Sequence, residues 1–425
     1  MFVPELSPEC MRPSAFLWRI SAAVLLACAL GPSPVQAQNN QFTQRSFVAS
    51  PVALGMGDVG VALPGAERGF FYNPAHLPHV ESNFTIFGLQ AGGNTGLREQ
   101  IQFLNQRLGP AIGASGLRGK TLEALEANAA RLQEQPGRGT GVVLLPNFVY
   151  SPGAFSIGGG LFAKTAANYR TEPVGAEASS VWTLSRTDLM ALVAAGLDLG
   201  SIGLSGLSVG VTGTQTRRYL AFKGTALAQF EQREPMVVLQ GSTFQLDGGI
   251  TYRLDHLLPM PGRLRLGGAV YDVLQTGYGY RTGGSARLPF LDDVIEAPNG
   301  GGPVPEVEER RAVERFALRP SYRIGAAYEV SEALFLEDVA VAADYQGYRD
   351  TEQAVLARTH VGVCAQVLGP VTLRAGVSAG YPSGGAGVEL GALHLDYALH
   401  GVEEGDQFRQ RGTYVHTARL LVRLE

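Results

Sequence analysis

From residue 139 to its end, this chain repeats stretches of about ten residues that alternate apolar with polar or small side chains. Phe244, Leu246, Ile250, Tyr252 and Leu254 fall on one side of such a stretch, and Gln245, Asp247, Thr251 and Arg253 on the other. Val371, Leu373 and Val377 oppose Thr372, Arg374 and Ser378 in the same way. Leu393, Leu395, Tyr397 and Leu399 oppose His394, Asp396 and His400. Ala418, Leu420, Val422 and Leu424 oppose Thr417, Arg419, Arg423 and Glu425. A period of two means a strand with two unlike faces. Roughly ten residues is the length at which a tilted strand crosses a bilayer, so the repetition predicts a transmembrane β-barrel.

A soluble β-sandwich also alternates, and the connections separate the two. Tight connections fall at Pro152 and Gly153, at Gly200 and Ser201, and at Leu368 to Pro370. Those between them are long, near 94–138, 217–241, 276–317 and 401–412. Short turns on one side and long loops on the other are a barrel property. Strands are predicted near 83–91, 139–151, 154–166, 184–199, 202–216, 242–254, 263–275, 318–330, 336–347, 355–367, 371–380, 384–390, 392–400 and 413–424. The count is fourteen only if Gly391 makes a turn. Bacterial single-chain barrels have even counts, so the expectation is all-β: a fourteen-stranded transmembrane antiparallel β-barrel in the bacterial outer membrane.

Composition agrees. Charged residues make up 17% of the chain, against about 25% in soluble domains. With 34 basic and 38 acidic residues there is no basic footprint for nucleic acid. No breaker-free apolar run after residue 40 reaches the roughly 18 residues of a membrane helix. Residues 1–37 read as a signal peptide: Arg12 and Arg19, an apolar stretch from Ile20 to Leu30, breakers at Gly31, Pro32 and Pro34, and cleavage after Ala37. Leu25 to Cys28 also resembles a lipoprotein box, with Cys28 as the lipidated residue. After cleavage at Ala37 only Cys364 remains, so no disulfide forms within the chain.

Two external loops carry patterns of their own. Within 94–138, Leu97, Ile101, Leu104 and Leu108, then Leu122, Leu125 and Leu132, recur at helical spacing, which predicts helices capping the barrel mouth. Residues 276–317 form an acidic, Pro/Gly-rich external loop.

Residues 46–80 do not alternate. They are Gly-rich, Pro-punctuated and apolar, and they precede the first strand. Gly55, Met56, Gly57, Gly60, Val61 and Ala62, followed by Asn73, Pro74 and Ala75, resemble the N-terminal hatch of the FadL-like outer-membrane superfamily. That group includes fatty-acid and aromatic-hydrocarbon transporters and the PorV-type proteins of type IX secretion. Leu395 to Ala398 and His416 to Leu420 are similar to the last two strands of PorV-like members. The chain departs from outer-membrane barrels in ending on Leu424 and Glu425 rather than on an aromatic residue.

The resemblance implies a periplasmic N-terminus and lumenal hatch over 38–82, seated in a barrel over 83–425. It also implies a hatch movement and a lateral wall opening that pass a hydrophobic ligand. The implied function is passive uptake of small hydrophobic compounds of fatty-acid or hydrocarbon type, with a PorV-type role in protein secretion or surface assembly as the alternative. The implied partners are outer-membrane lipids, a hydrophobic small molecule, the outer-membrane assembly machinery and secretion-system proteins.

Candidate ligand-binding residues on the hatch are Gly55, Gly57, Gly60, Val61, Phe71, Tyr72, Asn73 and Pro74, with Val59 and Phe70 as further apolar contacts. On the barrel they are Asp247, Arg253, Arg323, Arg374 and Asp396. These belong to a larger inward set that includes Arg263, Arg265, Glu329, Asp344, His394, Arg419 and Arg423. An Arg facing lipid at the midplane costs about 2–4 kcal/mol, so these groups line water, pair, or hold the hatch.

Motifs with catalytic spelling read as coincidence. Gly55 to Gly60 spells G-x-G-x-x-G but lacks the preceding strand and following helix of a dinucleotide site. Ser208 and Ser378 sit in G-x-S-x-G inside continuing strands, whereas a nucleophile elbow needs a strand-to-helix turn. An outer-membrane esterase or phospholipase would require one of them beside a histidine such as His360 or His394. His76 and His79 read as a loop pair, not a metal site. Neither enzyme activity nor a cofactor is expected.

Overall fold

A computed structural model describes residues 47–108, 120–133, 135–174, 178–227, 237–254, 261–282, 320–333, 336–348, 355–403 and 408–424. The predicted signal peptide, Cys28 and most of the acidic loop (283–317) lie outside the described residues. Fourteen antiparallel strands form the wall. They are β1 (Asn83–Gly93), β2 (Gly137–Tyr150), β3 (Phe155–Val174), β4 (Ala178–Asp198), β5 (Leu207–Ala226), β6 (Val237–Arg253) and β7 (Arg263–Tyr271). The rest are β8 (Ser321–Ala333), β9 (Leu336–Tyr348), β10 (Thr359–Leu368), β11 (Val371–Ser378), β12 (Tyr381–Leu390), β13 (Leu393–Glu403) and β14 (Gly412–Leu424). Each strand pairs with its neighbours in sequence, and β1 closes on β14 from Phe84 opposite Leu424 to Gly93 opposite His416. Closure leaves the wall no open edge. Gly391 makes the β12–β13 turn in the left-handed region (φ +59°), which settles the even count.

The apolar sets of the sequence face outward. Phe244, Ile250, Leu373, Leu395, Tyr397, Leu420 and Leu424 are exposed on the barrel's outer surface. Apolar side chains in that position require lipid, so the barrel spans a membrane and is of outer-membrane type. The polar sets face the lumen.

Two expectations change. The 217–241 connection is not a free loop: β5 runs to Ala226 and β6 begins at Val237, and β3 and β4 likewise reach Val174 and Ala178. Four consecutive strands therefore rise well beyond the membrane. The helices α3 (Thr95–Gln102), continued by a wide turn (Phe103–Leu108), and α4 (Lys120–Leu132) do not cap the mouth. They pack on Ala167, Tyr169, Val181 and Ala221. Those positions share parity with the outward Leu161, Leu189 and Val211, not with the lumenal Phe162, Met190 and Thr212. A Cβ on outward Gly137 would lie 2.9 Å from Leu97 Cα. The physical reason is that the tall strands have no lipid to cover their outer apolar residues, and the amphipathic helices cover them instead.

Residues 47–80 fill the lumen. Helix α1 (Pro51–Gly55) is capped by Ser50, and helix α2 (Ala66–Phe71) leads through Asn73 into a 3-10 turn (Pro74–His79). Asn73 Oδ1 accepts from Ala75 N at 3.1 Å, and Pro74 supplies the preset φ of the first helical position.

Candidate functional site: the hatch in its wall

The hatch touches almost the full circumference of the barrel, and glycine on both partners allows it. Gly158, Gly196, Gly210, Gly249, Gly267, Gly362, Gly376 and Gly385 all stand where hatch atoms would meet a side chain. A Cβ at Gly249 would lie 2.0 Å from Asn73 Oδ1, at Gly267 2.1 Å from Val61 O, and at Gly362 2.0 Å from Met56 O. On the hatch side, Gly57 (φ +71°) and Asp58 (φ 64°) turn through consecutive left-handed conformations, and a Cβ at Gly57 would lie 2.5 Å from Val361 O. Backbone meets backbone across this contact surface, which is why glycine stands on both sides of it.

One sector of this interface is apolar. Phe70, Phe71, Tyr72, Leu77, Val48 and Ala53 of the hatch pack on Val142, Leu144, Val149, Phe162, Met190, Leu192, Ala194 and Leu421 of the wall. Phe71 and Phe70 meet Phe162 edge-on, at centroid distances of 5.1 and 6.2 Å. Side-chain bonds also cross here: Lys164 Nζ donates to Phe47 O (2.6 Å), Gln90 Nε2 to Ala49 O (3.0 Å) and Ser151 Oγ to Leu77 O (3.4 Å).

The opposite sector is polar and locked. Arg323 of β8 donates to Asp58 O at 2.7 Å and pairs with the Asp58 carboxylate at 3.0 Å. Its guanidinium also bonds Gln346 at 2.7 Å and lies over the Tyr72 ring. Tyr72 donates its hydroxyl proton to Asp58. Asp344 of β9 accepts the amides of Gly60 (2.7 Å) and Val61 (3.0 Å). A second cluster joins Arg419 to Glu67 and to Asp396 (2.7 Å), and Arg374 to Asp396 (3.0 Å). Ser383 Oγ accepts from Gly57 N (2.9 Å), and Asn73 Nδ2 donates to Ile250 O (3.0 Å).

Of the candidate residues, Gly55, Gly57, Gly60, Val61, Phe71, Tyr72, Asn73 and Pro74 all lie at this interface, Gly55 against Gly385 and Pro74 against Gly210. Arg323, Arg374 and Asp396 meet it from the wall. Asp247 is buried but separate: it accepts from Asp272 N at 2.8 Å, fixing the chain where it leaves β7 and turns inward. Arg253 lies at the short-turn end, where its backbone N–H bonds Gly206 O. Asp58, Glu67 and Lys164 were missed. Asp58 and Glu67 are the two carboxylates within 46–80, and the inward barrel set holds seven arginines against four acids. That imbalance was the available signal.

A further polar group stands on the tall strands. Asp188 pairs with Arg218 at 2.7 Å and Arg186 at 2.9 Å, and the Arg218 guanidinium stacks 4.0 Å above the Tyr278 ring.

The motif residues resolve plainly. Ser378 does lie 3.0 Å from His360 Nδ1, but the same nitrogen is 3.0 Å from Gly57 O. A carbonyl only accepts, so Nδ1 carries the proton and cannot take one from Ser378. Ser208 meets His79 at 2.9 Å, buried at the start of β5, and Ser378 ends β11, so neither lies inside a continuing strand, and neither stands at a strand-to-helix turn. His76 Nε2 donates to Val61 O at 3.0 Å, away from His79, and no metal-holding cluster occurs among the described residues.

Burial, with the charges of Arg265, His79 and Arg68, holds His76 neutral well below the ordinary 6.5; burial and Arg265 push His79 down to about 4. Released from the barrel, both would regain an ordinary pKa. The released hatch then binds more protons, so seating is unaffected above pH 6.5 and weakens below it. For His76 the slope is about 1.4 kcal/mol per pH unit. Protease cleavage within 47–80 should rise between pH 6.5 and 5, and His76→Gln with His79→Gln should flatten that profile.

No family model and no curated protein matches the chain. Among solved structures it is similar to the Ralstonia pickettii toluene transporter TbuX, with 15% identity, 90% of this chain and 98% of that one covered, and a TM-score of 0.46. The TodX deltaS2S3 mutant monoaromatic hydrocarbon channel gives 11%, 88%, 97% and 0.49. A Pseudomonas aeruginosa FadL homologue gives 10%, 92%, 99% and 0.39. The fold is a plugged outer-membrane barrel.

Proposed function

We propose that this protein is an outer-membrane channel for passive uptake of small hydrophobic compounds. The observation that carries this reading is the apolar inner wall of β2–β4, covered by Phe70, Phe71 and Tyr72. Membrane barrels that conduct water and polar solutes have polar interiors. Here one sector of the lumen is apolar over three strands, and the plug covers it with rings, not charges. Displacing those rings would leave a surface that an apolar solute can wet and a polar solute cannot. Hydrocarbon or fatty-acid ligands both suit such a sector, and the toluene and monoaromatic specificities of TbuX and TodX belong to those proteins.

The test is uptake of a labelled small uncharged hydrocarbon, a labelled long-chain fatty acid and a sugar by cells producing the intact protein. At least one apolar solute should enter several-fold faster than in empty cells, with the sugar unchanged. Phe162→Asn with Met190→Gln should cut that gain about tenfold at equal outer-membrane abundance. Unchanged uptake in all arms, together with a stoichiometric protein partner on purification, would favour the secretion or surface-assembly role instead.

A further inference from the structure

The helical pair on the outer face of the barrel carries a feature that the uptake reading does not use. Between α3, its wide turn and α4 lies a cleft of about 340 Å³, lined by Glu99, Gln102, Phe103, Arg107, Asn128, Arg131, Leu132 and Gln135. We propose that this cleft binds the phosphorylated sugar headgroup of a glycolipid in the outer leaflet.

Position comes first. The helices cover Ala167 and Tyr169, outward residues of β3 that follow directly on the lipid-facing Phe155, Ile157 and Leu161. Eleven residues, from Phe155 to Thr165, are the length a tilted strand needs to cross the hydrocarbon core. The cleft therefore stands immediately above that core, on the lipid side of the wall and not over the lumen. A headgroup of a neighbouring lipid is at this height; a solute entering the barrel is on the other side of the sheet.

Chemistry comes second. Arg107 and Arg131 bring two guanidinium forks, the geometry that matches phosphate oxygens two at a time. Arg107 makes one side-chain bond, to Asn128 Oδ1 at 2.7 Å, and neither arginine has a carboxylate partner among the described residues. Glu99 has no ion partner there either. Two guanidiniums and a carboxylate held in one cleft without pairing to each other suit a ligand that carries both anionic and hydroxyl groups. Phosphate takes the arginines, and sugar hydroxyls donate to Glu99 and bond the amides of Gln102, Asn128 and Gln135. Phe103 and Leu132 form an apolar floor for the face of a sugar ring. A neutral apolar ligand would cover Glu99, Gln102, Arg131 and Gln135 without bonding them.

The test uses the full-length protein in detergent, measured by native mass spectrometry with bisphosphorylated lipid A, with the same lipid after enzymatic dephosphorylation, and with inorganic phosphate. The expected result is retention of the phosphorylated lipid by the intact protein and at least tenfold weaker retention by Arg107→Gln/Arg131→Gln. Arg411→Gln, on the external connection before β14, should retain it fully. Dephosphorylated lipid should bind at least tenfold less well. Equal retention by the double variant, or by dephosphorylated lipid, overturns the proposal. Saturable binding of inorganic phosphate at the affinity of the lipid overturns it too, by showing a free-anion site. The heat-modified gel mobility of the double variant should match that of the intact barrel, because both side chains are exposed on helices that do not enter the wall. Hydrocarbon uptake is read separately, so loss of lipid retention and loss of transport are distinguishable results.

Discussion

Alanine at both Gly267 and Gly362 should unseat the hatch while leaving the barrel intact. Within a strand, glycine to alanine favours the extended chain by roughly 0.5–1 kcal/mol, so the wall by itself is not harmed. The hatch is. The added Cβ atoms would lie 2.1 Å from Val61 O and 2.0 Å from Met56 O, both main-chain atoms that no rotamer change can move aside. Overpacking of this kind costs about 1–3 kcal/mol per site, and the two sites press on different stretches of the hatch. The seated state should lose about 2–6 kcal/mol, a shift of roughly thirty-fold or more toward the released state. Single-channel recordings in planar bilayers should show new large-conductance openings, and protease should cut within 47–80 while the heat-modified gel shift of the barrel persists. Gly141→Ala, where an added Cβ meets nothing within 4 Å, is the matched control and should do neither. Conductance equal to that of the unaltered protein would show that the nested backbones do not hold the hatch.

The second large effect is at Arg323. Its guanidinium serves Asp58 of the hatch twice, lies 3.7 Å from Asp344, and covers Tyr72. Arg323→Met keeps most of the volume and removes the charge, leaving the Asp58 carboxylate in the lumen without its cation. Breaking a buried pair from one side costs about 3–5 kcal/mol, while replacing both partners with neutral groups is close to neutral. Arg323→Met should therefore release the hatch by the same two readouts, and Arg323→Met with Asp58→Asn should recover most of the seating. A double variant no better than the single one would mean that packing over Tyr72, and not charge, holds this corner. Asp344 is less exposed to the loss, because two hatch amides still bond it.

The contrast between these two sectors gives the hatch a direction. The side facing β7–β14 is held by ion pairs and backbone nesting. The side facing β2–β4 is held mainly by rings against aliphatic side chains, with Lys164 of β3 and Gln90 of β1 at its rim. Apolar contact is non-directional, so Phe70 and Phe71 can slide on Phe162 and Met190 at small cost. Asp58 cannot leave Arg323 without leaving a charge behind. A ligand that replaces rings by its own apolar surface compensates the first kind of contact and not the second. The uptake reading therefore puts the path along β2–β4.

Much of this was legible in the chain itself. Lipid on one side and water on the other impose a period of two, and every inward charge expected from parity does face the lumen, from Asp247 to Arg423. Strand positions followed for the same reason, and Gly391 decided the count because its turn needs a left-handed residue. Strand lengths were not legible at β3–β6. Beyond the membrane the outward residues of those strands meet helices rather than lipid, so the composition that marks a crossing strand stops while the hydrogen-bonded ladder continues.

What the sequence determined by itself, then, is the wall: which segments cross, which face each presents, and that residues 46–80 belong to neither face. Those properties depend only on each residue's preference for lipid or water, which is local. Only the tertiary structure decided the site. Gly249, Gly267 and Gly362 look like any other glycine in a strand until the hatch backbone is laid against them. Asp58 and Glu67 become locks only where Arg323 and Arg419, more than 260 residues away, face them across the lumen. The same long-range packing put α3 and α4 on the outside of the barrel. Helical spacing told that these segments have an apolar stripe; it could not tell which of two sheet faces would cover it.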